Sequence, residues 1–138
     1  MAIFLDTGFF FALKFKKEPN YNNAIKILER IAKKEFGTQF SSTFIIDELM
    51  TLIWRRTKNS KIINETWDFF RPKTKVCHIL DITLDDIYQI YNLFNQQINR
   101  PKFLSFTDCS TLYLMDKYNI IYLASFDSNF NGLVNRIH

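Results

Sequence analysis

Ile120-Ile121-Tyr122-Leu123-Ala124-Ser125-Phe126-Asp127 is the most β-like run in the chain, and Ala2-Ile3-Phe4-Leu5-Asp6 is its shorter counterpart at the start. Each is a short apolar stretch that stops at an aspartate, the pattern of a strand buried on both faces. What lies between them is mostly helical. Thr7 to Lys17 reads as a helix with a bulky apolar face, broken by Glu18-Pro19-Asn20. Tyr21 to Phe36 is the clearest helix, with Ala24, Ile27, Leu28 and Ile31 at i, i+3, i+4, i+7, and with Lys33, Lys34 and Gly37 as stop signals. Thr38 to Ser41 reads as a strand, and Ser42 or Thr43 caps a helix to about Thr57. Another helix starts at Asn59 or Ser60 and runs to about Phe70, before Pro72. Val76 to Leu80 is the next strand. Thr83 caps a long helix to about Gln97, with Ile87, Ile90, Tyr91 and Phe94 on one face. After the Asn99-Arg100-Pro101 loop, Ser105 caps a helix to Tyr118, and Asn119 ends it. A short helical turn at Ser128 to Gly132 and a final strand near Val134 to Ile137 follow Asp127.

Strands separated by helices require parallel pairing with right-handed crossovers. The expected fold class is therefore α/β, a three-layer α/β/α sandwich around a central parallel sheet. At 138 residues the chain is expected to form one domain, long enough to bury a core without disulfides or a structural metal. With 15 Phe, 6 Tyr and 2 Trp it is too aromatic for a disordered chain. Cys77 and Cys109 make no CxxC and no zinc spacing, and read as two half-buried thiols of a reducing compartment. His138 is terminal, so any histidine-based triad or metal site would rest on His78 alone, which argues against most nucleophilic hydrolases. The apolar stretch Ala2 to Leu13 has no basic n-region, holds Asp6 in its middle and lacks a cleavage site of small residues. No run approaches the 18 or so apolar residues of a membrane span. A cytoplasmic protein with no membrane contact is expected.

In parallel α/β sheets the site lies outside the C-terminal ends of the strands. Asp6 and Asp127 both sit there. Each also has an ordinary structural use, as the cap of the helix or turn that follows. Glu48 falls at the edge of the core stripe Ile45, Leu49, Leu52 and Ile53, at about 100° per residue, while Asp47 and Trp54 point away from it. Such a carboxylate is costly unless it pairs with a cation. Asp108 lies in the first turn of the Ser105 helix, on the stripe of Leu112 and Met115, where a helix N-terminus favours it. Asp116, in the last turn, reads as solvated or paired with a lysine.

Taken together the four acids suggest more than caps. Carboxylates converging within ~4–6 Å repel by several kcal/mol, so such a cluster takes up protons or holds cations. All-oxygen donors suit Mg²⁺ or Mn²⁺, whose usual use is phosphoryl chemistry. Setting the four aside leaves 18 basic residues against 10 acidic ones, +8 in place of +4. An acidic well in a basic surround suits a metal-dependent nuclease, with the surround holding the phosphate backbone. The candidate cations are Lys14, Lys16, Lys17, Arg55, Arg56, Lys58, Lys61, Arg71, Lys73 and Lys75.

Four segments then carry a resemblance. Ile3-Phe4-Leu5-Asp6-Thr7, Phe44-Ile45-Ile46-Asp47-Glu48-Leu49, Leu104-Ser105-Phe106-Thr107-Asp108 and Ala124-Ser125-Phe126-Asp127-Ser128-Asn129-Phe130 occur in the order of the PIN domain family. The chain resembles in particular its small VapC-type toxin ribonucleases, and Glu18-Pro19-Asn20-Tyr21 with the helix that follows also fits. The resemblance spans nearly all of residues 1–138, and implies that these form a single PIN-like nuclease domain. It implies Mg²⁺- or Mn²⁺-dependent cleavage of RNA, a homodimer, and a cognate antitoxin whose C-terminal tail lies in the site. Asp6, Glu48, Asp108 and Asp127 match the family's metal-binding catalytic acids, with Thr7 or Asn129 orienting a water. Two departures stand out. Many members carry Asp where this chain has Asn129, and Phe9, Phe10 and Phe11 make the first helix heavy enough to suggest a sticky surface. The alternative is a PIN-like RNA- or protein-binding module with little catalysis. A phosphatase of the haloacid dehalogenase type wants a second Asp two residues after the first, and position 8 is Gly.

Overall fold

The computed structural model describes residues 1–74 and 76–138, so Lys75 lies outside the described residues. Five strands form one parallel sheet: β1 Ala2–Leu5, β2 Thr38–Ser42, β3 His78–Leu80, β4 Tyr122–Ala124 and β5 Asn135–Ile137. Six helices connect them: α1 Thr7–Lys14, α2 Tyr21–Ala32, α3 Thr43–Thr57, α4 Ser60–Trp67, α5 Leu84–Gln97 and α6 Phe106–Lys117. The strand order is β3-β2-β1-β4-β5. The chain thus steps outward from β1 to β3 on one side and returns to place β4 and β5 on the other. Right-handed crossovers put α1 to α4 on one face of the sheet and α5 with α6 on the opposite face. Most helix contacts divide the same way, α1 packing on α2 and α3, α3 on α4, and α5 on α6, while α3 also meets α6 through Phe44 and Phe106, ring centroids 6.3 Å apart. This is the expected α/β sandwich.

The central strand is fully apolar because helices cover both of its faces. Ile3, Phe4 and Leu5 have no exposed surface, and Leu123 and Ala124 beside them have none either. The heavy first helix is core rather than a sticky surface. Phe9 and Phe10 are fully buried, and Phe10 packs on Phe69 and Phe70 with ring centroids 5.7 and 5.3 Å away. Only Phe11 is half-buried. The aromatics needed to cover Phe10 come from the one-turn helix Asp68–Phe70, some sixty residues on, which helical spacing in α1 does not reveal.

Several boundaries differ from the sequence reading. The first helix stops at Lys14, since Phe15 is already extended. The second stops at Ala32, and Lys34 turns left-handed at φ 61°. Gly37 follows at φ 76°, with the Met1 carbonyl 2.0 Å from where a Cβ would stand. The stop signals there were legible, but the chain uses a whole turn before the glycine. β4 is shorter than Ile120 to Phe126, and β3 begins at His78 rather than Val76. In α5, Ile90 is buried while Tyr91 is 57% exposed, so Tyr91 leaves the face assigned to it. Cys77 and Cys109 are free and buried rather than half-buried. Burial pushes the Cys77 thiol up to about 12, so it is no nucleophile at neutral pH.

The pairing of α5 with α6 is held by a buried charge. Asp86 closes the capping box of Thr83, accepting from its backbone N–H at 2.9 Å. It also accepts from Tyr113 Oη at 2.8 Å and from Lys117 Nζ at 2.7 Å, both on α6. The Lys117 ammonium, ahead of the other donors, holds the Asp86 carboxyl below its usual range. Asp86→Ala is expected to cost about 2–4 kcal/mol, because it strands several donors at once. Lys117→Ala is expected to cost about 1 kcal/mol or less, its side chain being 40% exposed. Urea unfolding of the two variants checks the ranking.

Candidate active site

In an open parallel sheet the crevice for a ligand opens where neighbouring strands send their connections in opposite directions. Here that place is between β1 and β4. β1 leads away toward β2, and β4 leads away toward β5. Asp6 is the first residue after β1, and its backbone N–H donates to the Ala124 carbonyl at 3.1 Å, extending the ladder by one step. Asp127 lies three residues after β4. The two strand-end acids are thus set at the mouth of one crevice.

The other two arrive on helices. Glu48 stands in the second turn of α3, whose cap is Ser42, accepting from the Ile45 N–H at 3.3 Å. Ile45, Leu49 and Ile53 are buried, and Glu48 lies at the edge of that stripe with Asp47 exposed beyond it. Asp108 is the third residue of α6 and forms a capping box with Ser105, accepting from its N–H at 2.8 Å.

Capping and convergence turn out to be compatible uses. Asp6 accepts from the Thr7 N–H at 2.8 Å, and Asp127 accepts from the Asn129 N–H at 2.8 Å. These bonds fix the orientation of each carboxylate. Glu48 is tied by the Thr7 hydroxyl, which donates to it at 3.2 Å. Among the described residues, Asp108, Asp127 and Glu48 each keep one oxygen without a protein donor, and no Lys or Arg pairs with any of the four.

Burial, and the charge of neighbouring acids added to it, raise three of the four. Asp6 is pushed up to about 7, chiefly by burial, with the charges of Asp108 and Glu48 adding to it. Glu48 is raised by loss of hydration and by Asp108, Asp47 and Asp127, although it remains exposed over much of its surface. Asp108 is raised by burial and by Asp127. Among the described residues no three acidic, cysteine or histidine side chains form a ready-made coordination shell. The donor set nevertheless fits a hard divalent cation: all oxygens, several unengaged, and a mutual repulsion that a cation removes.

Sequence reasoning missed the residue that braces this corner. Ser125 is fully buried, and its hydroxyl donates to Asp6 Oδ2 at 2.6 Å while accepting from the Asp127 N–H at 3.1 Å. One side chain therefore connects both strand-end acids. The Arg136 guanidinium donates to the Ser125 carbonyl at 3.0 Å and to Asn131 at 2.8 Å, so β5 holds the same corner from behind. The signal was present in Ala124-Ser125-Phe126-Asp127, where a polar residue interrupts an apolar run. The Ser125 bond draws the Asp6 carboxyl downward. Ser125→Ala is expected to move Asp6 further above 7, which carboxyl-carbon NMR titration checks; an unmoved Asp6 would count against the bond.

Of the proposed basic residues, Lys14 is paired with Glu65 at 3.6 Å and Arg71 with Asp68 at 2.7 Å. Lys16, Lys17, Arg55, Arg56, Lys58, Lys61 and Lys73 are exposed. Asp116 is exposed, as a solvated acid would be. His78 is exposed beside the Phe40 ring on the far strand pair and takes no part in the site. No helix among the described residues is long and apolar enough to cross a membrane.

The fold is shared with solved structures. VapC20 of Mycobacterium tuberculosis, described as a sarcin–ricin-loop-cleaving toxin, aligns with a TM-score of 0.76 and 22% identity over 93% of this chain and 92% of that one. VapBC2 of Rickettsia felis, solved with a DNA fragment from its promoter, aligns at 0.68 and 15% over 99% and 97%. FitAcB of Neisseria gonorrhoeae aligns at 0.68 and 16% over 99% and 96%. None of the curated proteins matches the chain in sequence. At these identities the structural likeness speaks to the fold alone. A model of the PIN domain matches residues 3–134. With its strand order, its four acids at the β1–β4 crevice and that match over nearly its whole length, this chain belongs to the PIN domain family.

Proposed function

We propose that residues 1–138 form one nuclease domain, a Mg²⁺- or Mn²⁺-dependent endoribonuclease that serves as the toxin of a toxin–antitoxin pair. What supports the reading is the placing of Asp6, Glu48, Asp108 and Asp127 around the switch point of a PIN fold, with no Lys or Arg paired to them among the described residues. Asp6 and Asp108, with Glu48 directly or through water, would hold the ion, and Asp127 completes the site. When bound, the ion would supply an activated water and offset negative charge on the phosphodiester.

The chain's own residues do the positioning. Ser125 and Thr7 hold the Asp6 carboxylate toward the crevice. The Thr7 hydroxyl is committed to Glu48, so its part is to orient that acid, and Asn129 is the better candidate to orient a water. The Asn129 side chain is half-buried beside Asp127. Hydrolysis in this manner leaves a 5′-phosphate and a 3′-hydroxyl. The exposed cations on the α1–α4 side give the phosphate backbone its electrostatic partner. An antitoxin partner is supported by the VapBC and FitAB assemblies among the structural neighbours. A homodimer and a cytoplasmic location belong to the same reading.

The test is cleavage of labelled single-stranded and structured RNAs by the purified protein in Mg²⁺, Mn²⁺ or EDTA, beside Asp6→Asn and Asp108→Asn. Cutting that needs the ion and both carboxylates upholds the reading. RNA binding without cutting in either ion would leave a PIN-like binding module whose acids serve only as caps.

A further inference from the structure

A second feature stands beside the acidic site. Between the C-terminal end of α5 and the loop leading to Ser105 lies a pocket of about 160 Å³, walled by Phe94, Gln97, Ile98, Arg100, Phe103 and Leu104. It is well below the ~300 Å³ at which pockets begin to hold whole small molecules, a size for one flat ring system. Its walls are of two kinds. Phe94 is half-buried and locked edge-on against Phe106 of α6, centroids 5.5 Å apart, so that wall is rigid. Phe103 is 73% exposed, close to the highest exposure of any large apolar residue in the chain. The polar contribution is a single pair: Arg100 Nη1 donates to Gln97 Oε1 at 2.9 Å.

The position links this pocket to the acids. Leu104 lines it, and the next residue, Ser105, holds Asp108. Arg100 has no carboxylate partner among the described residues. Lys102 reaches across to the Ser128 carbonyl at 3.4 Å, beside Asp127. The loop therefore brings Lys102 to the edge of the acidic crevice and carries Arg100 and an exposed aromatic ring at the adjoining pocket. Cations beside an acidic well suit the phosphates on either side of a reacting one. An exposed ring beside a small flat pocket suits an unstacked base, which single-stranded RNA presents and a duplex hides.

We propose that this pocket takes one unstacked base of the RNA substrate next to the bond that is cut, stacked on Phe103 and met at its edge by the Arg100–Gln97 pair, with Lys102 on the adjoining phosphate. The proposal rests on the ribonuclease reading but names a site separate from its four acids. It makes the protein selective for single-stranded or looped RNA, and for the base at one position.

The test uses RNA carrying 2-aminopurine, or an abasic residue, at successive positions around the cut. Fluorescence is read in EDTA and again within the first turnover in Mg²⁺. Wild-type protein is expected to quench 2-aminopurine at one position, and Phe103→Ala to abolish that quench. Phe103→Ala is expected to raise KM about tenfold with kcat little changed, in line with the loss of one stacked base. Arg100→Ala should do the same, with Arg100→Lys recovering only part. Phe103 is exposed, so its removal leaves the core intact. The abasic RNA should lose about tenfold against wild type and nothing further against Phe103→Ala, the coupling expected of two groups in contact. Additive losses, or a quench that survives Phe103→Ala, would overturn the pocket. A protein that cuts nothing yet quenches through Phe103 would uphold the pocket and sink the nuclease, so the two failures are distinguishable.

Discussion

Asp6→Asn is expected to lower metal-dependent RNA cleavage by at least about a hundredfold, and Asp108→Asn to do the same. Outer-shell partners of a metal site already cost about 10–100-fold when removed, and these two are proposed as direct ligands. The change is isosteric and keeps the caps, because an Asn carbonyl oxygen still accepts from the Thr7 or Ser105 N–H. Loss of fold therefore does not explain loss of activity. The check is single-turnover cleavage with circular dichroism on the same samples. A folded Asp6→Asn that retains wild-type rates would remove Asp6 from the site. In EDTA the same substitution should leave the protein at pH 8 more stable than wild type, since it deletes a buried, uncompensated charge.

That last effect has a pH signature. The Asp6 carboxyl goes from 3.8 in an open setting to about 7 in the fold. Below about 4 both the folded and unfolded chains carry the proton. Between about 4 and about 7 only the folded chain does, so unfolding releases it and stability falls as pH rises. Above about 7 both are ionised and the loss is complete. About three units correspond to about 4 kcal/mol, and the raised carboxyls of Glu48 and Asp108 act in the same direction. Asp86 acts in the opposite direction. Its lowered value makes its contribution complete above the ordinary aspartate range and lost as pH falls below it. In EDTA the protein should thus be most stable on the acid side of neutrality, and Asp6→Asn should flatten the decline toward pH 8. Millimolar Mg²⁺ should reverse the decline, since an ion bound only to the folded state adds RT ln(1 + [ion]/Kd). Urea unfolding at pH 5, 6.5 and 8, with and without Mg²⁺, reads both arms. Stability that climbs steadily to pH 8 in EDTA would mean that the fold does not hold Asp6 protonated.

The four site acids were legible because each sits at a punctuation mark of local structure. Asp6 and Asp127 end apolar runs, Asp108 follows a serine cap by three, and Glu48 interrupts the edge of an apolar stripe. Ser125 was not legible in the same way. Its role depends on a bond to Asp6, 119 residues earlier in the chain. The Asp86–Lys117 pair escaped notice for a similar reason, as its members lie on different helices 31 residues apart.

Local chemistry thus determined a good deal of this protein by itself: the alternation of strands and helices, hence a parallel sheet, and the caps at Ser105 and Thr83. The opening strand and its terminal aspartate were readable as well, because short-range sterics and hydrogen bonding set them, and the family was readable from the resemblance of four motifs in order. The tertiary structure alone decided the strand order, and with it that β1 and β4 are neighbours whose connections diverge. It decided that Phe9 and Phe10 are core while Tyr91 is exposed, since a face is apolar only against what covers it. It also decided that burial and neighbouring carboxylates raise the proton affinity of Asp6, Glu48 and Asp108. That property belongs to distances between chain segments, and no residue carries it alone.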